Sequence, residues 1–137
     1  MSDESDDDLK RRPRRIRANF PVRISTIEAE LDPWTGKSYF RASQETCGDV
    51  SRGGAFVRTS EPLGPGRRVL LELQLPNGAQ IEAIGRVAWT RRTLSSGQPH
   101  PDAGVGVEFL GGAADQLAAL DDYLSRAGAE PAEGKDN

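Results

Sequence analysis

The sequence predicts a mainly β protein, an antiparallel barrel of about six strands with one C-terminal helix. Three observations lead there. Apolar residues recur with period two through most of the chain, the spacing that puts alternate side chains on one face of a strand. The runs are separated by PLGPG, PNG, SSGQPHP and SRGG, where glycine permits positive φ and proline fixes it. One stretch near the C-terminus changes to helical spacing. Closure into a barrel is favoured because it leaves no exposed strand edge, while a two-layer sandwich is the other arrangement the pattern allows.

Taken in order, residues 1–9 form an acidic leader almost without apolar groups, and 129–137 form a similar tail. Neither has enough to bury to offset the entropy of ordering, so both are expected to be disordered around a single domain over 10–128. The first strand carries Phe20, Val22 and Ile24. Trp34, in the loop DPWTGKSYF, is expected to be exposed and to mark a partner contact. Cys47 is expected to be a small, half-buried strand residue. Asp49 and Ser51 stand two apart in an extended segment and project from one face, with Val50 on the other; Val50 suits the core, so the polar pair belongs outside. Val69, Leu71, Leu73 and Leu75 form one long strand and Ile81, Ala83, Val87 and Trp89 the next, joined through Asn77-Gly78, a strong hairpin signal. The alternation places Trp89 in the core. Val105, Val107 and Phe109 complete the strands. The helix should start at about Asp115 as its N-cap, present Leu117, Leu120 and Leu124 on one stripe, and stop near Gly128 with Arg126 in its last turn. That stripe must cover a sheet face or a barrel mouth.

Composition removes several function classes. The 137 residues carry a formal charge of -3 and a pI near 5.2, which argues against coating a nucleic acid polymer with a broad basic face. No apolar run approaches the roughly 20 residues of a bilayer span, and the start lacks an apolar signal core, so membrane insertion and export are not expected and the location should be cytoplasmic. One cysteine, Cys47, excludes an internal disulfide, and with the lone His100 it makes no four-ligand zinc site without many carboxylates. No nucleophile and base accompany each other, so the protein is not expected to be an enzyme or to carry a cofactor. His100, between two prolines, reads as a surface loop residue, and Arg91 with Arg92 as a small solubilising patch.

Two stretches carry more chemistry. Five acidic residues, Asp3, Glu4, Asp6, Asp7 and Asp8, abut the basic Lys10, Arg11, Arg12, Arg14, Arg15 and Arg17, in which Arg11 and Arg15 have RxxxR spacing. About 30 residues on, Asp49-Val50-Ser51-Arg52-Gly53-Gly54 has DxSxxG spacing. An arginine fork makes two charge-assisted bonds to an oxyanion and its flat face stacks on an aromatic ring. An ionised carboxylate accepts hydrogen bonds through two oxygens. The leader carboxylates, close to these arginines, are placed to compete with phosphate.

With RRPRRIRANFPVRI, DVSRGGAFVRT, GRVAWT and AGVGVEFL in that order from Arg11 to Leu124, the chain resembles the PilZ domain family, receptors for the second messenger cyclic di-GMP. The resemblance implies a six-stranded PilZ-like split barrel with a C-terminal helix. It implies that Arg11 and Arg15 grip phosphate and stack on guanine, and that Asp49, Ser51 and Gly54 hold a guanine edge. Lys10, Arg12, Arg14, Arg52 and Gly53 are further contacts, with Arg12 and Arg14 as substitutes for the motif arginines. It further implies a non-enzymatic bacterial receptor that signals to an as yet unidentified effector protein by ordering its arm on the ligand. A ligand-independent adaptor acting by protein–protein interaction is the alternative.

Overall fold

A computed structural model describes residues 15–92 and 103–129 of the chain. The expected disorder of 1–9, and of the tail beyond residue 129, lies outside the described residues, as do Lys10, Arg11, Arg12, Arg14 and His100. Among the described residues the elements run β1 (Ile16–Thr26), β2 (Glu30–Leu31), β3 (Ser38–Tyr39), β4 (Ala42–Val50), β5 (Gly54–Arg58), β6 (Arg68–Gln74), β7 (Gln80–Arg91), β8 (Gly104–Gly112) and the helix α1 (Ala114–Ala129).

Six strands close an antiparallel barrel in the order β1-β4-β5-β8-β7-β6. Closure rests on β1, which pairs with β4 on one edge and β6 on the other, Val22 lying opposite both Glu45 and Leu73. The period-two residues fill the interior: Phe20, Val22, Val69, Leu71, Leu73, Ile81, Val87, Val105 and Val107 share one buried cluster. Burying a side chain of the size of Leu71 or Ile81 contributes about 1.5–3 kcal/mol, which is why the alternation fixes the faces of these strands. The β6–β7 hairpin has the expected place and register, Leu73 opposite Ile81. Its Gly78 N–H donates to the carbonyl of Leu75, whose own N–H donates to Ala79.

The helix touches β7 and β1, which are not neighbours in the barrel, so it crosses one end. Leu120 enters the core, Leu124 packs against it, and Tyr123 meets Phe20 edge-on at 6.4 Å between ring centroids. Asp115 is not the N-cap. The carbonyl of Ala113 accepts from the N–H groups of Gln116 and Leu117, and Asp115 sits within the first turn, its carboxylate accepting from the Gln116 N–H at 2.9 Å. There it complements the positive end of the helix.

The loop read as DPWTGKSYF contains a small hairpin of its own, β2 paired with β3. Asp32 shapes its tip by accepting from the Trp34 N–H at 2.8 Å, which leaves the Trp34 ring 92% exposed. The exposure agrees with expectation; the hairpin was not legible because it is two residues long on each side.

Candidate functional site

Irregular pairing builds the site. Where β4 meets β5, Cys47 lies opposite Val57 and Asp49 opposite Phe56, so Gly48 is an extra residue on β4. On the other side of β4, Arg17 lies opposite Asp49 and Phe20 opposite Cys47. In a regular strand residues 47 and 49 would share a face. The bulge separates them: Cys47 turns inward and is fully buried, while Asp49 faces out beside Arg17. Arg15, just ahead of β1, reaches the same carboxylate, with its terminal nitrogen 2.8 Å and its Nε 3.1 Å from Oδ1 of Asp49. One member of each sequence motif is thus joined to the other. Both side chains are well exposed, at 51% and 30%, so the pair is worth at most about 1 kcal/mol and is readily exchanged.

A second bulge corrects the expectation for Trp89. Val87 pairs with Val107 but Trp89 pairs with Gly106, so Ala88 and Trp89 together oppose one residue. The alternation shifts by one position, Thr90 turns toward the Leu63 carbonyl, and Trp89 comes out on the barrel wall, 40% exposed. Its indole stacks on Phe56 at 5.4 Å and 12°, Arg91 lies 5.2 Å from its ring centre, and Arg58 lies 5.9 Å from that of Phe56. Gly106 makes room: a Cβ there would come within 2.2 Å of the indole. The result is a row of cation, ring, ring and cation along the outer surface.

Ser51 also departs from expectation. The chain leaves β4 after Val50, and the Ser51 residue is only 3% exposed. Its N–H donates to the Gly54 carbonyl at 2.8 Å and its hydroxyl accepts from the Gly53 N–H at 3.2 Å, so it shapes the β4–β5 turn. Gly54 abuts backbone, its missing Cβ pointing 2.2 Å from the Val107 carbonyl oxygen. Arg52 turns away from Asp49 and pairs with Asp121 of the helix at 2.6 Å. Burial, with the Asp49 charge adding to it, pushes the Cys47 thiol up to about 12, so it is protonated and unreactive at neutral pH.

Together these side chains surround an open cleft of about 740 Å³ between the start of β1 and the row on β5 and β7. Arg15, Arg17, Arg58 and Arg91 line it against one carboxylate, Asp49. A neighbouring hollow of about 360 Å³ joins Arg15 and Trp89 to Ser51, Gly53 and Gly54. Four cations, an exposed ring face and one acceptor suit a flat, anionic ligand with a donor edge. Sequence reasoning singled out Arg15 and Asp49 and named Arg17 within the basic cluster, but it read Arg91 as part of a solubilising patch, which its place in the cleft corrects, and it did not reach Phe56 or Arg58. Arg15 with Arg17 and Phe56 with Arg58 each stand two apart, a signal that becomes useful once the outward face is known. Among the described residues no group of three or more His, Cys, Asp or Glu is placed to hold a metal, and no helix is long and apolar enough to cross a membrane.

The family model described as PilZ domain matches residues 9–126. No curated protein matches the chain. Among solved structures, the PilZ domain of YcgR from Escherichia coli, determined with c-di-GMP, is 19% identical with a TM-score of 0.59, covering 93% of this chain and 98% of that one. The Bacillus subtilis inhibitor of motility MotI/DgrA is 20% identical with a TM-score of 0.61, covering 85% of this chain. This chain spans 50% of the length of that protein. The PilZ domain of CeSA from a cellulose-synthesizing bacterium is 19% identical with a TM-score of 0.50, covering 78% and 90%. These likenesses establish a shared fold.

Proposed function

The chain belongs to the PilZ domain family, and from that premise we propose that it is a non-enzymatic receptor for cyclic di-GMP, holding the ligand in the four-arginine cleft. The observation that carries the reading is the convergence of Arg15, from the first motif, and Asp49, from the second, beside the exposed Trp89 face. Arg15, with Arg11 assigned by resemblance alone, grips phosphate. Asp49 accepts from the N1–H and N2–H of a guanine, which requires it to give up or share Arg15. Since that pair is exposed, the exchange costs little. Ser51 and Gly54 contribute through the turn they shape, and Gly53 lines the same hollow. Ordering of the N-terminal arginine arm on the ligand, ahead of Arg15, changes the surface offered to an effector protein in the cytoplasm. The YcgR domain solved with c-di-GMP supports the ligand class.

A calorimetric titration with cyclic di-GMP, GMP and cyclic di-AMP tests this. Selective binding of cyclic di-GMP is expected; equal binding of all three would reduce the cleft to a general anion site. Binding of none would favour the second reading, an adaptor acting through protein contacts. That reading draws on the exposed Trp34, Leu31 and Phe40 of the β2–β3 region and on the likeness to an inhibitor of motility.

A further inference from the structure

The charge of the cleft is opposite to that of the chain. Its walls carry four arginines and one carboxylate, whereas the whole sequence stands at -3; taking away the five negative charges of Asp3, Glu4, Asp6, Asp7 and Asp8 would leave +2. The described chain begins at Arg15, which itself lines the cleft. Asp8 and Asp3 are therefore seven and twelve residues from its rim. At about 3.3–3.6 Å per extended residue they can reach roughly 25 and 40 Å, far enough to arrive anywhere in the cleft.

We infer that the acidic leader docks in this cleft as an intramolecular polyanion and competes there with ligand phosphate. The docking follows from charge and tether length; the competition rests on the receptor reading. A tether this short holds the carboxylates at an effective concentration of roughly millimolar. The alternative partners are the leader's own neighbours, Lys10 to Arg14, which are consecutive with it in sequence. The cleft has the stronger claim, because its arginines converge beside the apolar faces of Phe56 and Trp89, and a concave wall of one sign focuses its potential.

The test uses the full chain and a neutralised variant, Asp3→Asn, Glu4→Gln, Asp6→Asn, Asp7→Asn and Asp8→Asn. The chain has two tryptophans, and Trp34, beyond the far end of β1, serves as the internal reference for Trp89. In ligand-free protein at low salt, the Trp89 indole N–H resonance should differ between the two forms and the Trp34 resonance should not; adding salt should move the wild-type Trp89 signal toward that of the variant. An identical Trp89 signal overturns docking. In calorimetry with cyclic di-GMP the variant should bind about 5–20-fold tighter at low salt and less than about 2-fold tighter at 0.5 M salt, as screening removes the competitor. Equal affinities at low salt overturn the competition. Tighter binding with an unmoved Trp89 signal shows a long-range field in place of docking and also refutes the inference. If neither form binds cyclic di-GMP while Trp89 responds to the leader, the receptor reading falls and the docking stands.

Discussion

Substituting Gly54 by alanine separates the structural demand on a motif glycine from any demand made by a ligand. Gly54 opens β5 opposite Glu108 of β8. An added Cβ would lie 2.2 Å from the Val107 carbonyl oxygen, where real Cβ contacts essentially never fall below 3.0 Å, so β8 must retreat by at least the 0.8 Å between them. The atom in the way is backbone, and no rotamer change can move it. The retreat strains the Phe109 N–H bond to the Gly53 carbonyl and the Ser51 N–H bond to Gly54, each 2.8 Å. Overpacking of this kind costs about 1–3 kcal/mol, and a weakened backbone bond adds about 1 kcal/mol. Gly54→Ala should therefore lose about 2–4 kcal/mol, a fall in thermal midpoint of roughly 8–16 °C for a domain of this size. Urea unfolding of ligand-free protein, followed by tryptophan fluorescence, measures it. Gly111→Ala is the control, since an added Cβ there meets nothing within 4 Å, and its stability should be nearly unchanged. A Gly54→Ala variant within about 0.5 kcal/mol of wild type, the usual spread for innocuous surface changes, would refute the close-approach reasoning and leave the motif glycine to the ligand alone.

Asp49→Ala should lose cyclic di-GMP binding by more than about tenfold while binding inorganic phosphate no more weakly than wild type, because a carboxylate repels phosphate and helps only by accepting from a base; calorimetry with both ligands decides, and tighter cyclic di-GMP binding would sink the guanine-edge role. Trp89→Ala should weaken the same ligand by about 1–3 kcal/mol, the usual worth of one base-on-ring stack, with the barrel still folded by circular dichroism. Alkaline stability should expose Cys47. Burial holds its folded pKa at about 12, above the ordinary thiol value of 9.0, so its contribution is intact below about pH 9 and is lost as pH rises from there through the folded value. At pH 11 that loss is on the order of 2–3 kcal/mol, and urea unfolding of Cys47→Ala between pH 8 and pH 11 should lack this component. Equal pH slopes for the two proteins would contradict it.

Much of the barrel was legible because burial enforces the period: Val69, Leu71 and Leu73 face in, as does Ile81 across the hairpin, where the sequence places them. Arg15 and Asp49 were legible as members of two spaced motifs, although nothing in the spacing says that they form an ion pair. What the period could not reveal lies where the period breaks. Gly48 and Ala88 are small residues of no distinctive pattern, yet each sits at a bulge that reverses which neighbours face outward. Trp89 was therefore assigned to the interior on a rule that held up to Val87 and failed two residues later. Ser51 failed for a related reason: the i, i+2 argument assumes that the strand continues, and the chain leaves it at Val50. Arg58 and Phe56 were invisible as site residues because their relevance depends on which strand lies beside β5, a long-range fact.

The bulge at Ala88–Trp89 stores its information as a count of residues and not as their identity. Were Ala88 paired in register, with no bulge, two-fold alternation would run through Arg91 and turn the indole inward and Thr90 outward with the same residues on β7. One unpaired residue thus decides whether this wall shows an aromatic surface or a hydroxylated one on the same scaffold. For anyone aligning or redesigning such barrels, the pairing register at the end of this strand is a heavier choice than most replacements within it, because it decides which residues the surrounding water, and anything dissolved in it, can meet.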